Sequence, residues 1–223
     1  MSDAAAVPVP KPPVPAWKLL AVLGGGGAVA GLLLVVAYLA TIEPIRAHKA
    51  QVLADGVREV LALPADAPYE ERWWSGGRLV AERPAGADDL DRIWFARRPD
   101  GSVGWAVVAE GNGFADRIRL IFGWDPVAGR LLALKVLESK ETPGLGDAVA
   151  ADGPASFRAR FTGVAVSETT PVRGVKADAT PNAPNEVDTV TGATVSSRAV
   201  VKIVNGAVRR WAPAVAASRE GGR

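Results

Sequence analysis

The sequence contains no cysteine and only one histidine, His48. The absence of cysteine excludes disulfides, thiolate zinc sites and cysteine-bound iron–sulfur clusters. A single histidine leaves little for metal ligation or for a Ser-His-Asp triad. The net charge is only +2, so a strongly basic nucleic-acid-binding surface is not indicated and no nucleic-acid partner is expected. Any redox chemistry would therefore need an organic cofactor.

The most prominent feature that is present is a long apolar run near the N-terminus. Residues 19–42 are 24 consecutive uncharged residues between Lys18 and Glu43. As a helix they would be about 36 Å long, enough to cross a lipid bilayer with some tilt, and we predict one transmembrane helix here. A cleaved signal peptide is the alternative, but this apolar segment is longer than such peptides use. Residues 1–18, which are rich in proline, are predicted to form a flexible tail.

Residues 43–91 are predicted to be a juxtamembrane helix and a connector. Apolar residues recur with helical spacing in the first part, and Pro64 should end the helix. His48 falls on this helix, where we expect a solvated side chain. The rest of the segment is interpreted as irregular. Its Trp73-Trp74 pair is either core packing or a lipid or partner contact.

Residues 92–212 are predicted to be one α+β domain in which an antiparallel sheet packs against helices. Turn sequences rich in glycine, proline and aspartate separate four segments with strand character. These segments are residues 92–97, 102–110, 114–124 and 130–137. We expect them to form an antiparallel meander with one face against a core.

The end of the chain is predicted to be helical and then disordered. The further elements are a short helix at residues 154–161, a short strand within 164–175, and a last helix from Ser196 or Ser197 to Trp211. An apolar stripe at helical spacing indicates that the last helix packs on the core. The stripe consists of Val200, Val204, Ala207 or Val208, and Trp211. Residues 213–223 are predicted to form a disordered tail.

One stretch combines a strand end, a small-residue turn and a helix start. It is residues 188–197, Asp-Thr-Val-Thr-Gly-Ala-Thr-Val-Ser-Ser. Gly192 and Ala193 leave room for a bulky group to approach the backbone. The hydroxyl residues of the turn are Thr191, Thr194, Ser196 and Ser197. Serine is a favoured N-cap residue, and a helix N-terminus suits a phosphate. The residues alone therefore predict an anion site beside reactive hydroxyls, without identifying the anion.

This stretch resembles the flavinylation motif of the FMN-binding domain family. In that family the last threonine of Thr-Gly-Ala-Thr carries FMN through a phosphoester bond, and here that threonine is Thr194. Residues 140–147, Lys-Glu-Thr-Pro-Gly-Leu-Gly-Asp, resemble a second segment of the same family. Both motifs behind one apolar helix resemble the G subunits of Rnf-type electron-transport complexes, whose close relatives are the C subunits of sodium-pumping NADH:quinone reductases. The resemblance covers roughly residues 19–211.

The resemblance implies a set of contacts for covalently bound FMN. Glu141 would be one of the cofactor-binding residues. Thr142, Leu145 and Gly146 would lie at the flavin ring, and Thr191, Gly192 and Ala193 near the phosphate. A separate magnesium-dependent flavin transferase would move FMN from FAD onto Thr194, and would recognise Asp188 and Ser196 as part of its target. Ser139 stands where such relatives often have histidine, so a role of that histidine does not carry over.

The same resemblance implies an electron relay with no active site of its own. The relay would sit in the bacterial inner membrane, with a cytoplasmic tail and its flavin domain on the outer, periplasmic face. Its partners would be the other membrane subunits of an Rnf-type complex, which couples electron flow between ferredoxin and NAD to ion translocation. Lysine and arginine lie on both sides of the apolar run, so the positive-inside rule gives no independent orientation.

Other functions compete with the relay. Within the flavin interpretation, the alternative is the C subunit of a sodium-pumping NADH:quinone reductase. A different class is a non-redox, membrane-anchored binding or assembly module whose Thr-Gly-Ala-Thr is only a helix cap, and this alternative predicts a colourless protein. A secreted hydrolase is disfavoured because the chain has one histidine and no cysteine.

Overall fold

The computed structural model describes residues 15–177 and 179–220, with side chains through residue 218. The chain divides into two compact units, Met1–Ala50 and Gln51–Arg223. Most of the predicted N-terminal tail, residues 1–18, lies outside the described residues, as do the last three residues of the chain.

The first element is one long helix, α1, Ala16–Leu61. The predicted transmembrane and juxtamembrane helices are therefore a single helix that continues through Pro44. It is long and apolar enough to cross a membrane. Its apolar side chains in the N-terminal half are exposed, Leu20 at 72% and Leu33 at 64%. His48, on the same helix, is exposed as predicted.

The helix ends just before Pro64, as the sequence predicts, through a backbone turn. The N–H of Ala62 donates to the carbonyl of Glu59 at 3.1 Å, and the N–H of Leu63 donates to the carbonyl of Arg58 at 2.9 Å. This pair of bonds is the Schellman arrangement, which satisfies carbonyls at a helix C-terminus. Ala62 takes the left-handed position, with φ 52°. The turn fixes where the chain leaves α1 and enters the sheet.

Six strands form one antiparallel sheet in the order β2-β1-β3-β4-β5-β6. They are β1 Glu70–Ser75, β2 Arg78–Val80, β3 Arg92–Arg97, β4 Val103–Asn112, β5 Arg117–Asp125 and β6 Arg130–Ser139. The four predicted strands correspond to β3 to β6. The interpretation of residues 64–91 as irregular is wrong, because β1 pairs with β3 and β2 pairs with β1.

The Trp73-Trp74 pair on β1 belongs to the core. Trp73 is 5% exposed, and the ring of Trp74 meets the ring of Trp211 edge to face, with 5.5 Å between centroids. Of the two alternatives for this pair, core packing is the one the structure shows.

Both faces of the sheet are covered, whereas the sequence predicted one. On one face, Trp105, Val107 and Phe122 belong to the large core under the C-terminal helix. On the other face, Ala106, Val108 and Ile121 pack with residues of the end of α1. The cause is visible in β4, whose central residues, Trp-Ala-Val-Val-Ala, are apolar without alternation, as expected of a strand buried on both sides.

Glycine permits the close approach of α1 to the sheet within the second unit. A Cβ on Gly123 would clash with the backbone carbonyl of Val60, whose carbon would lie 2.9 Å away. A Cβ on Gly104 would lie 2.9 Å from the side chain of Leu61. Real Cβ atoms do not approach other atoms so closely, since protein interiors are close-packed. The last turn of α1 therefore rests directly on the sheet backbone.

The C-terminal helix, α2, is Thr194–Glu220. Its predicted apolar stripe is buried in the large core, with Val200, Val204 and Trp211 each at most 1% exposed. The predicted disordered tail is wrong up to residue 220, because the helix continues through Pro213. Burial of Ala214 and Val215 at 1% and 0% exposure offsets the cost of proline within a helix.

Shorter elements connect the sheet to α2. The predicted helix at residues 154–161 is only a 3₁₀ turn, Arg158–Phe161, although Phe157 and Phe161 are both buried and meet edge to face. Two short strands, β7 Arg173–Val175 and β8 Glu186–Asp188, pair in parallel. The strand predicted within 164–175 is therefore β7, and β8 leads directly into the hydroxyl-rich turn.

Candidate functional site

The turn between β8 and α2 places Thr194 at the first position of the helix. Gly192 has φ +82°, a backbone conformation that glycine adopts without strain. The N–H of Ala193 closes the turn by donating to the carbonyl of Val190 at 3.0 Å. The first helical bond follows, from the N–H of Ser197 to the carbonyl of Ala193 at 2.8 Å. The helix thus begins at Thr194, earlier than the predicted Ser196 or Ser197.

The predicted serine N-cap is therefore wrong, since both serines lie inside the first turn. Ser197 instead reaches back, and its Oγ accepts the N–H of Val190 at 3.1 Å. Ser196 and Ser197 are 1% and 0% exposed. Their hydroxyls thus stabilise the turn from within.

Thr194 is partly accessible to solvent at the start of α2. Its side chain is half-buried, and the flanking Gly192 and Val195 are exposed. Its Oγ1 lies 3.5 Å from the carbonyl oxygen of Val190, at the long limit of a hydrogen bond. The N–H groups and dipole of the α2 N-terminus favour negative charge beside this hydroxyl. Thr191 is also exposed, whereas Ala193 is buried.

The second motif forms an exposed turn. The N–H of Leu145 donates to the carbonyl of Thr142 at 3.1 Å, and Gly144 has φ +76°. Thr142 and Leu145 are exposed, and Gly146 is buried at the start of a 3₁₀ turn, Gly146–Val149. The segment Pro-Gly-Leu-Gly therefore forms a tight turn.

The two motifs meet at the carboxylate of Glu141, which is 6% exposed. Ser196 donates its hydroxyl to Oε2. The N–H groups of Phe114 and Ala115 donate to Oε1 at 3.0 Å each, and that of Asp116 at 3.3 Å. We call this set, Glu141, Ser196 and the amides of residues 114–116, the carboxylate cluster. The family resemblance implies that Glu141 binds the cofactor. In the structure, the oxygens of Glu141 instead accept hydrogen bonds from donors of the chain itself.

Two glycines allow the chain to fold around this carboxylate. A Cβ on Gly113 or on Gly146 would lie 2.9 Å from a carbon of the Glu141 side chain and still closer to one of its oxygens. Gly146 also lies against the Oγ of Ser196, which would be 2.7 Å from such a Cβ. The glycines of both segments are therefore required by the cluster.

The carboxylate cluster makes an acid-dependent contribution to stability. Burial raises the pKa of Glu141, but the hydrogen bonds from Ser196 and from the three backbone amides outweigh it and hold the pKa below the ordinary 4.5. A group whose pKa is lowered on folding stabilises the fold fully above its unfolded pKa, and that contribution is lost as pH falls through its folded pKa.

We therefore expect the Glu141→Gln variant to differ from wild type in its response to acid. Below pH 4.5 the free energy of unfolding of wild type should fall more steeply than that of the variant, because only wild type has this carboxylate to protonate. Urea unfolding of the full chain in detergent at a series of pH values measures the difference. Glu168→Gln, at an exposed position, is the control and should follow wild type. Parallel curves for wild type and Glu141→Gln would contradict the assignment.

Three exposed apolar side chains lie on the segments that the carboxylate cluster joins. Phe114 is 64% exposed, Val195 56% and Leu145 50%. Each lies within four residues of a member of the carboxylate cluster along the chain, so the cluster brings the three segments together. The sequence singled out Leu145 but missed Phe114 and Val195. Apolar side chains beside a helix N-terminus offer a surface for a ligand that is both flat and anionic.

Asp188 has a partner that sequence reasoning missed. Arg160 donates through Nη1 to the Asp188 carboxylate at 2.6 Å and to its backbone carbonyl at 3.2 Å. The pair links the 3₁₀ turn to the end of β8. A transferase that recognises both residues would therefore meet Asp188 as an ion-paired side chain and Ser196 as a buried one.

Two grooves among the described residues lie away from this site. One groove, about 880 Å³, is lined by Phe95, Trp105 and Val127, among others. A second, about 370 Å³, runs between β4 and α2. Neither is lined by Thr194 or by the loop of residues 142–146. Across residues 15–177 and 179–220, no three His, Asp or Glu side chains form a group able to hold a metal ion.

Known proteins are similar to this chain in the region that contains both motifs. A family profile described as FMN-binding domain matches residues 113–209, which include both motifs. The G subunit of the ion-translocating oxidoreductase complex of Cereibacter sphaeroides (strain ATCC 17029 / ATH 2.4.9) is 29% identical over 211 residues, covering 92% of this chain and 90% of that one. The G subunit of the Na⁺-translocating ferredoxin:NAD⁺ oxidoreductase complex of Acetobacterium woodii is 27% identical over 198 residues, covering 85% and 90%.

A solved structure has the same fold. The crystal structure of NqrC from Shewanella oneidensis superposes with a TM-score of 0.59 at 19% identity, covering 71% of this chain and 91% of that one. The chain thus combines an α+β FMN-binding fold with an N-terminal apolar helix. Residues 113–209 match the FMN-binding domain family, and over most of its length the chain is similar to G subunits of ion-translocating oxidoreductase complexes.

Proposed function

We propose that this chain is a membrane-anchored flavoprotein subunit that carries FMN covalently on Thr194 and relays electrons within an Rnf-type ion-translocating complex. The observation that carries the proposal is the position of Thr194, at the first residue of α2 and beside exposed apolar side chains. The extended similarity to G subunits supports the assignment to such a complex. Bound FMN would supply reversible electron transfer in one- or two-electron steps.

Attachment of FMN would be a phosphoryl transfer to Thr194. Thr194 would supply Oγ1 for the new O–P bond and lose its hydroxyl proton to a base, while the pyrophosphate bond of FAD would break and release AMP. Within the described residues, the group in hydrogen-bonding reach of this hydroxyl is the carbonyl of Val190, which cannot take up its proton. A separate flavin transferase with Mg²⁺ would therefore supply the base and stabilise the leaving group.

The chain's own residues would hold the product rather than make it. The α2 N-terminus stabilises the negative charge of the phosphodiester, with Thr191 and Gly192 on the exposed side of the turn. Thr142, Leu145 and Gly146 would border the ring. A covalent link has a physical advantage outside the cytoplasm, because a dissociated cofactor there would be lost by dilution.

The test of this function is flavin fluorescence after denaturation. The protein is purified from its native host and run on a denaturing gel, with a second sample from cells that lack the flavin transferase. A fluorescent band only in the first sample is expected. A colourless band in both, with the transferase confirmed present, would leave the non-redox binding module as the better account.

A second candidate is the C subunit of a sodium-pumping NADH:quinone reductase, favoured by the fold shared with NqrC. The two complexes differ in the reaction lost when the subunit is removed. Membranes that lack this chain should lose ferredoxin:NAD oxidoreduction under the first proposal and NADH:quinone oxidoreduction under the second.

The proposal also places the flavin domain on the outer face of the inner membrane. The absence of native cysteine permits a direct test with single introduced cysteines. Glu168→Cys, at an exposed position of the second unit, should react with a membrane-impermeant maleimide in intact spheroplasts. Ser2→Cys should react only after the membrane is permeabilised. The reverse pattern would contradict the orientation.

A further inference from the structure

We propose that Glu141 is the positioning residue of this site. Its carboxylate fixes the loop of residues 142–146 against the first turn of α2, and it acts through Ser196 and the backbone amides of residues 114–116 without touching the cofactor. The inference rests on the proposed function, because it concerns how the same site holds a flavin.

The hydrogen bonds that Glu141 accepts require its carboxylate to be ionised. Three backbone N–H groups converge on Oε1, and Oε2 accepts the hydroxyl of Ser196 together with a second contact from the Phe114 N–H at 3.2 Å. A carboxylate offers about four acceptor lone pairs and no donor. Its side chain is almost fully buried, where unpaired amides and an unpaired charge would both be costly.

The carboxylate joins segments that are far apart in the sequence. Glu141 and Ser196 are 55 positions apart, and Glu141 and Phe114 are 27 apart. Leu145 belongs to the segment that follows Glu141, and Thr194 lies two residues before Ser196. The proposed ring contacts and the proposed attachment point are thus on different segments, and this carboxylate is the described group that bonds to both sides.

Loss of the Glu141 carboxylate should therefore change the position of the flavin ring without removing the flavin from Thr194. Thr194 keeps its place at the start of α2, whose first bond comes from the backbone of Ser197. The loop, however, loses its bond to α2 through Ser196. A flavin tethered at Thr194 would remain covalently bound, but its ring would move more freely.

The test compares the full chain in four variants in detergent. Glu141→Ala removes every acceptor, Glu141→Gln keeps one oxygen for the three amides, and Ser196→Ala removes a single donor. Glu168→Gln at an exposed position is the matched charge control. Each is prepared without the transferase, for amide hydrogen exchange of residues 114–116. The Glu141 and Glu168 variants are also prepared with it, for fluorescence anisotropy and midpoint potential of the flavin.

In the flavin-free protein, Glu141→Ala should speed exchange of residues 114–116 by about tenfold or more, since each of these amides loses a charge-assisted hydrogen bond to a buried carboxylate. Glu141→Gln should recover part of that protection, and Glu168→Gln should match wild type. In the loaded protein, Glu141→Ala should retain covalent flavin with lower anisotropy and a shifted potential. Ser196 is also part of the expected transferase target, so Ser196→Ala is compared by hydrogen exchange alone. If Glu141→Ala fails to fold, Glu141→Gln and Ser196→Ala carry the comparison.

Two results would overturn the inference. One is exchange in the Glu141 variants equal to that in Glu168→Gln. The other is faster exchange without any change in the anisotropy or potential of the flavin, which would mean that Glu141 orders the loop but does not position a cofactor. Wild-type protein without flavin after denaturation would contradict the proposed function itself, and the gel reveals this independently of every variant.

Discussion

Replacing Thr194 with valine is expected to remove covalently attached flavin completely. Valine is close to threonine in shape and β-branching, so the first turn of α2 should be preserved while the only atom of this side chain able to form the phosphoester is lost. The 3.5 Å contact between the Thr194 hydroxyl and Val190 is the single hydrogen bond described for this side chain, so the variant should fold. The measurement is flavin fluorescence of the denatured band from cells that contain the transferase.

The matched control for this variant is Thr194→Ser, which keeps the hydroxyl at the same position and loses only the methyl group. The control should retain fluorescence, which would separate loss of the attachment atom from disturbance of the turn. Fluorescence that persists in Thr194→Val would place the flavin on another residue and refute the site. Loss of fluorescence in both variants with normal unfolding would make the shape of the turn, rather than the hydroxyl alone, responsible.

Gly123→Ala is expected to have the largest effect on stability. The added methyl would meet the carbonyl of Val60, with its carbon only 2.9 Å away. Neither partner can yield easily, because one is sheet backbone and the other is the last turn of α1. Overpacking of this kind costs about 1–3 kcal/mol, and the backbone position of the clash favours the upper end. For a unit of this size the melting temperature should fall by about 2–4 °C per kcal/mol, which calorimetry of the full chain in detergent can measure.

Gly206→Ala provides the matched control. Gly206 lies inside α2 and a Cβ there would meet nothing within 4 Å. Alanine in a helix interior is favoured over glycine by about 1 kcal/mol, so this variant should be slightly more stable than wild type. Equal stability of Gly123→Ala and wild type would show that the end of α1 does not rest on β5 as described.

Local sequence chemistry predicted the centre of the sheet but not its edge. The strands β3 to β6 are separated by Pro-Asp-Gly, Gly-Asn-Gly and Asp-Pro-Val-Ala-Gly, turn sequences that mark their ends. In β1, Glu-Glu-Arg-Trp-Trp-Ser carries charges where a strand pattern expects apolar residues, and it is a strand because it pairs with β3. Likewise α2 passes Pro213 because tertiary burial outweighs the local preference, a common outcome for weak propensities.

For the candidate site, too, the sequence predicted some features and missed others. Family resemblance located Thr194 and the Pro-Gly-Leu-Gly loop, and the structure places them in segments that meet. It could not show that Glu141 faces inward, because a contact over 55 positions leaves no periodic pattern in the sequence. Serine next to a predicted helix start suggested an N-cap, whereas tertiary contacts use Ser196 and Ser197 as internal hydrogen-bonding groups.

The most direct measurement is mass spectrometry of the tryptic peptide that contains the attachment site. Cleavage after Lys176 and Arg198 releases residues 177–198, which include Thr194 and the other hydroxyl residues of the turn. From protein made in its native host, this peptide should carry the added mass of FMN less one water, and fragmentation should assign it to Thr194. An unmodified peptide in the presence of active transferase, or flavin on another hydroxyl, would contradict the account.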